Sequence, residues 1–181
     1  MMAEEKEQLS ARARLLMDDM RAQWRELDDR IAALAEEFAA RARSDASTRL
    51  LATIPGIGVL NATALAAAIG KGEAFERARD LAAWLGLVPR QMTTGGKPRL
   101  LGISKRGNVY LRTLLIHGAR AALPSLAKGT SRLGGWLRGL QARAHPNTVV
   151  VALASKLARI AWAVLRSGES YAAKVGLPRP A

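Results

Sequence analysis

The chain has no cysteine among its 181 residues. That excludes disulfides, zinc–thiolate sites and thiol nucleophiles, and it suits a reducing compartment. Histidine occurs twice, as His117 and His145, too rarely for a histidine-rich metal centre. Aromatic residues make up only 4%, so the 49% hydrophobic content falls largely to alanine and leucine, which favour helix. The most telling absence is local. Between Leu81 and Gly168 there is no Asp or Glu, yet the same stretch holds fourteen Lys and Arg residues. No metal site built from acids and no two-carboxylate mechanism can lie within it. Chemistry there must use hydroxyls, cations and backbone amides, or borrow acids from elsewhere. So many cations without counter-charge call for a polyanion, nucleic acid being the natural one.

The formal net charge of +13 is unevenly spread: residues 1–45 hold eight basic and eleven acidic residues, the remainder twenty basic and four acidic. Only the second part reads as a polyanion binder; a solvated basic surface is the bland alternative. The acidic start is unlike a signal peptide. The most apolar run, Thr148 to Leu165, is interrupted by Lys156 and Arg159, so it is expected to be a buried helix rather than a membrane span. No membrane partner is expected, and a cytoplasmic location is.

The periodicity predicts a mainly α fold. Residues 5–43 read as one long helix, because Met17, Met20, Trp24, Leu27, Ile31, Leu34 and Phe38 alternate spacings of three and four. That is a heptad seam, which supports a coiled coil with a second copy or an antiparallel hairpin; an amphipathic helix packed on its own domain is the alternative. Ser44 to Thr48 is a plausible hinge. A helix follows over Val59–Ile69, ended by Gly70, Lys71 and Gly72. A short helix is expected over Arg77–Leu85 with Trp84 on its apolar side. Gly86 to Gly102, with Pro89, Gly95, Gly96 and Pro98, reads as a loop or an irregular hairpin. Ser104 is placed as the cap of a helix running to Ala122, with Leu111, Leu114 and Leu115 inward and Arg112 outward. Further helices are expected over Ser131–Ala142 and Thr148–Arg166. The expected organisation is 1–46 as a coiled-coil or oligomerisation helix and 47–72 as a helix-hairpin-helix-like element. Residues 73–167 form a basic helical domain around a loop at 86–103, and 168–181 a tail.

Two motifs stand out. Ile54-Pro55-Gly56-Ile57-Gly58 puts two glycines between apolar helices, as in a helix-hairpin-helix element. Glycine permits the tight turn and lets a phosphate approach Gly56 and Gly58, and the following helix start offers free N–H donors. Such an element grips backbone without reading bases; a helix–helix turn without a ligand is the alternative. The second is the block from Gly86 to Arg120, where Thr93, Thr94, Gly95, Gly96, Lys97 and Arg99 lead into Lys105, Arg106 and Arg112. Backbone amides near Gly95 and Gly96, with Lys97 and Arg99, could surround a phosphate. The order G-x-x-x-x-G-K-[ST] is missing, so this is no Walker loop. Tyr110 is expected as a packed ring, His117 as a satisfied core histidine, and Asn108 as a support for the helix start.

Three stretches together, Ile54–Gly58, Gly86–Arg120 and His145–Trp162, resemble the C-terminal part of the DEDD transposases of bacterial insertion sequences, the bridge-RNA-guided recombinases. The likeness spans about residues 5–173. It implies a transposase domain that binds DNA and a structured guide RNA, forms multimers, and acts at the bacterial nucleoid. It also implies that a serine before the loop glycine attacks DNA and becomes covalently linked to it. Magnesium would be held by four acids on a RuvC-like domain; no cofactor or metal is expected on this chain. The sequence departs from that pattern in two places. It starts at the coiled-coil helix, with no RuvC-like domain, and threonine replaces the serine. Thr94, directly before Gly95, is the best match for the nucleophile, with Thr93 the alternative. Threonine can serve when a base or metal activates it, though its methyl crowds the phosphorus. Gly56, Gly58, Gly95, Gly96, Lys97, Arg99, Lys105, Arg106 and Arg112 are the expected DNA or RNA contacts. The alternative function is a non-catalytic nucleic-acid-binding and oligomerising remnant.

Overall fold

The computed structural model describes residues 10–174; residues 5–9 of the expected long helix and 175–181 of the expected tail lie outside the described residues. The chain divides into two units, Met1–Ala40 and Arg41–Ala181. Helix α1 (Ala11–Ser44) supplies the described part of the first. Its seam residues are all exposed in the single chain, Trp24 at 70% and Phe38 least at 36%. Within the helix, Arg21 pairs with Asp18 at 3.2 Å and Arg30 with Glu26 at 3.7 Å. Pairs at such spacing on an exposed helix contribute only about 0.3–0.5 kcal/mol each.

The second unit is mainly helical with one small sheet: α2 (Ala46–Ala52), α3 (Val59–Ile69), α4 (Ala78–Trp84), β1 (Pro89–Thr94), β2 (Lys97–Ile103), α5 (Val109–Lys128), α6 (Arg132–Gln141), α7 (Pro146–Ser167) and α8 (Tyr171–Lys174). Asp45 breaks the chain between α1 and α2. Its carboxylate accepts from the Thr48 backbone N–H and hydroxyl, both at 2.6 Å, and these bonds hold its pKa below the usual carboxylate range. Helix α7 is the centre of the core, packed by α2, α4, α5 and α6. Val149, Leu153, Leu157, Ala161 and Val164 are fully buried along it. Each such Leu stabilises the fold by about 1.5–3 kcal/mol. By length and composition α7 could cross a membrane, but here its apolar face is occupied by the domain's own core. Trp162 ties α7 to the segment between α3 and α4: its indole N–H donates to the carbonyls of Gly72 and Phe75 at 3.2 and 3.0 Å.

Several expected boundaries move for local reasons. Helix α5 starts at Val109, not after Ser104, because Asn108 is the cap and accepts from the Leu111 N–H at 3.0 Å. The Ser104 N–H instead donates to the Val88 carbonyl at 2.8 Å. The helix also runs through Pro124 to Lys128 rather than stopping at Ala122. Helix α7 begins at Pro146, whose fixed φ suits a first helical position. Tyr110 is 58% exposed, so it is not a packed ring, and His117 is exposed rather than a core histidine.

Arg112 is the main correction. Expected to point outward toward phosphate, it is 8% exposed, and its guanidinium donates to the carbonyl of Leu85, the C-cap of α4, at 3.0 Å. It lies on the buried stripe of α5 with Leu115 and Ala119, at helical spacings of three and seven. A cation at a helix C-terminus is favoured by the helix dipole, and the carbonyl is one that the helix itself leaves unpaired.

Two close backbone approaches fix the packing. Gly56, at φ +89°, sits against Gly118 of α5, where a Cβ would overlap the Gly56 carbonyl oxygen. Gly107, at φ +107°, sits against the Trp84 carbonyl oxygen, which a Cβ would also overlap.

These contacts generate two predictions. Arg112→Met keeps the aliphatic stem but orphans the Leu85 carbonyl, and lowers stability by about 1.5–3 kcal/mol in chemical denaturation; unchanged stability would contradict the buried assignment. Gly118→Ala pushes α5 off the Gly56 turn and destabilises by about 1–3 kcal/mol, whereas the same change at exposed Gly139, which has open space around it, does not.

Candidate nucleic-acid interface

The block expected as a loop or irregular hairpin is an antiparallel hairpin. Thr94 pairs with Lys97 across the two-residue turn Gly95-Gly96, whose φ angles are +57° and +75°. Positive φ at both central residues marks a type I′ turn, which matches the natural twist of the strands and needs glycine or its nearest substitutes. The register shifts between Pro89↔Ile103 and Gln91↔Leu100, so β2 carries one extra residue, a bulge around Leu101 and Gly102. Residues 90–100 of the hairpin are all exposed. Pro89, Pro98 and the cations keep its open edges from pairing with other strands.

Strand alternation divides the candidate residues between two faces. The pairs Thr94↔Lys97 and Met92↔Arg99 place Thr94, Lys97 and Arg99 on one face, with Arg90 following the same parity. The pairs Thr93↔Pro98 and Gln91↔Leu100 form the other. There the Gln91 side-chain amide donates to the Thr93 hydroxyl at 3.2 Å. One face therefore joins a hydroxyl to cations, and the other holds a hydroxyl engaged by an amide among uncharged side chains.

The remaining candidates are spread over the domain. Lys105 and Arg106 are exposed in the segment between β2 and α5. Gly58 is exposed at the N-cap of α3, with no side chain capping that end. Gly56 is half-buried against α5, a packing position. Arg112 is withdrawn into the core.

Cations between 81 and 168 that are held at all are held without carboxylates. Arg138 donates to the carbonyls of Ala127 and Gly129, both at 2.8 Å. The Lys156 ammonium lies 4.8 Å from the Trp136 ring centroid. Burial lowers the Lys156 pKa below the usual lysine range, and the neighbouring Arg159 and Arg132 charges push the same way. Arg90, Lys97, Arg99, Lys105 and Arg106 have no side-chain hydrogen bond or ion pair among the described residues, whose only ion pairs are the two in α1. Sequence reasoning named Lys105 and missed the Trp136–Lys156–Arg159 group, because residues 105, 136, 156 and 159 meet only through tertiary packing.

No group of three or more His, Cys, Asp or Glu side chains that could hold a metal ion forms among the described residues.

Comparison with known proteins gives this surface a context. Residues 48–132 match the profile of the transposase IS116/IS110/IS902 family. A probable family 20 transposase of Pseudomonas aeruginosa is 46% identical over 170 residues, covering 94% of this chain and 50% of the relative. The transposase for insertion sequence element IS1111A of Coxiella burnetii is 46% identical over 144 residues, covering 80% of this chain and 40% of the relative. The transposase for insertion sequence element IS1328 of Yersinia enterocolitica is 43% identical over 145 residues, covering 80% and 43%. The chain thus spans about half the length of these relatives, or less. The matched segment contains the glycine turn, the hairpin and all of α5, and over it the chain is similar to the transposases of the IS116/IS110/IS902 family.

Proposed function

We propose that this domain grips DNA and supplies the hydroxyl that cuts it in an insertion-sequence transposase of the DEDD, bridge-RNA-guided kind. The observation that carries the reading is the hairpin face on which Thr94 stands with Lys97, Arg99 and Arg90. A phosphodiester against this face has its charge met by cations with no competing partner, in a region without a carboxylate to repel it. The Thr94 Oγ1 attacks phosphorus, the bond from phosphorus to a deoxyribose oxygen breaks, and that oxygen leaves as a hydroxyl. Thr94 keeps the DNA as a phosphothreonyl ester until a second strand displaces it. The proton that Thr94 loses is the one the leaving deoxyribose oxygen gains, and its carrier is a base that the Thr94 face of the hairpin does not supply. Thr93 is the weaker candidate, since its hydroxyl is engaged by Gln91.

Gly58 and the open N-terminus of α3, with Lys105 and Arg106, extend the phosphate grip, and Gly95 and Gly96 let a strand approach the hairpin tip. A structured guide RNA is a second polyanion for the same basic surface. The exposed seam of α1 pairs with the seam of a second copy, where burial of Trp24, Leu27 and Ile31 removes from water what is now exposed. The setting is the cytoplasm, at the DNA.

A second reading is supported by the surroundings of Thr94: its hairpin face offers cations and Met92 but no basic group to take a proton. On that reading the domain binds and oligomerises without catalysis. A covalent-capture assay on suicide DNA substrates, complemented with a RuvC-like domain and element RNA, separates the two. The catalytic reading expects Thr94→Ala to abolish capture and Thr93→Ala to retain it. Capture and recombination indifferent to both changes would leave only the binding module.

Two further outcomes are expected. DNA affinity falls with salt, with a log–log slope of about −0.9 per phosphate contact, so Lys97→Ala and Arg99→Ala each flatten it by about that amount. Arg112→Met leaves the slope unchanged. A salt-independent affinity would sink the binding claim. Leu27→Glu with Ile31→Glu converts an oligomer to a monomer in sedimentation; a wild-type chain already monomeric would refute pairing through this seam.

A further inference from the structure

The base of the hairpin forms one side of a cleft of about 490 Å³ that the phosphate-gripping face does not use. Its other side is the N-terminal half of α7 and Trp136 of α6. The volume lies within the range of about 300–1,000 Å³ found for small-molecule sites. The floor is apolar, with Leu87, Ile103 and Val151, while Lys105 and Arg159 are the charged groups in its lining. Lys156, over the Trp136 ring, adds a third cation beside it.

Two features show that the cleft is shaped. The bulge at Leu101 and Gly102 falls where β2 lines it. Lys105 is the one non-glycine residue with positive φ among the described residues, at +56°. Its backbone N–H is tied to the Gly86 carbonyl at 3.2 Å. A lysine held in a left-handed conformation that glycine would adopt freely is unusual, and here it puts a cation at the cleft.

We propose that this cleft receives one unstacked nucleotide of a single-stranded DNA segment, its base against Trp136 and the apolar floor and its phosphate toward Lys105 and Arg159. The inference rests on reading the chain as a DNA-binding transposase domain. An aromatic side chain beside cations is how bases and backbone are held together in sequence-tolerant single-strand sites. The charge pattern selects an anionic occupant, because no carboxylate lies anywhere between residues 81 and 168. The α7 side of the lining adds the polar side chains of Asn147, Thr148 and Ser155, and the occupant is DNA rather than RNA because the proposed function joins DNA strands. Five to six strand residues separate this base from the hairpin tip, on the order of 17–20 Å. The cleft would thus hold a strand a few nucleotides from the phosphodiester facing Thr94, which is how a cut or displaced strand is kept in place.

The test is fluorescence anisotropy of the whole chain with a labelled single-stranded oligodeoxynucleotide, the same sequence as a duplex, and the matching RNA strand. Ala152→Phe fills the cleft without changing charge, and Lys105→Gly removes a cation while relieving its backbone. Ala152→Phe is expected to weaken single-stranded DNA roughly 5- to 150-fold, the worth of one stacked base, with duplex binding as in wild type. Lys105→Gly is expected to weaken the single strand more than the duplex without lowering the thermal midpoint, and it carries the test alone if Ala152→Phe does not fold. Losses equal for single strand and duplex, or none for the single strand, overturn the proposal. RNA bound as tightly and lost as strongly overturns the assignment to DNA. A wild-type chain that binds neither form of DNA overturns the transposase-domain reading itself, a result distinct from failure of the cleft alone.

Discussion

Everything in the basic part of this chain depends on one electrostatic constraint: for 88 residues there is no carboxylate to hold a cation. A cation there is held by a carbonyl or a ring, or is left to solvent. Arg112 goes to the Leu85 carbonyl, Arg138 to those of Ala127 and Gly129, and Lys156 to Trp136. Neutral acceptors stabilise a cation without cancelling its charge, so even the structural cations leave the domain's field positive. In a folded protein without a partner such a surface repels itself. A bound polyanion would relieve that repulsion, so on the proposed reading nucleic-acid binding stabilises the folded unit.

The Arg112 contact also joins the parts that matter for function. It fastens the start of α5 to the end of α4, and the Gly107 backbone reaches the Trp84 carbonyl beside it. The hairpin begins and ends within a few residues of that junction. Its exposed strands make few contacts of their own with the core, and a two-stranded hairpin is marginal alone. Its direction is therefore set at the base, by Ile103 packing on the core and by the Lys105–Gly86 and Ser104–Val88 backbone bonds. The core thus presents an exposed arm bearing Thr94, Lys97 and Arg99.

The helices were legible in the sequence because periodicity and caps report local physics. Val59–Ile69 was readable to the residue, whereas the helix expected over Thr148–Arg166 runs from Pro146 to Ser167 because Pro146 starts rather than precedes it. The block at 86–103 was readable as a loop or an irregular hairpin but not in its register, because register depends on Gly95-Gly96 closing a turn of a particular hand. Among the site residues, Lys97, Arg99, Lys105 and Arg106 are exposed, as a phosphate contact requires. Arg112 was not legible, since a buried arginine with a carbonyl 27 residues back in sequence looks, letter by letter, like its exposed neighbours. The two glycine positions at 56 and 118 likewise acquire meaning only when the backbones touch. The choice between Thr93 and Thr94 lies between these cases: adjacent in sequence, they fall on opposite faces once the strands pair.

The central claim is that the Thr94 hydroxyl, among the cations of its hairpin face, is the group that joins DNA. Its most direct test is peptide mapping of the covalent adduct formed on a suicide DNA substrate by the complemented complex, after nuclease trimming. The account predicts a nucleotide attached to the Thr94 side chain. An adduct at Thr93, at Ser104 or elsewhere, or none from a complex that still transfers strands, would contradict it.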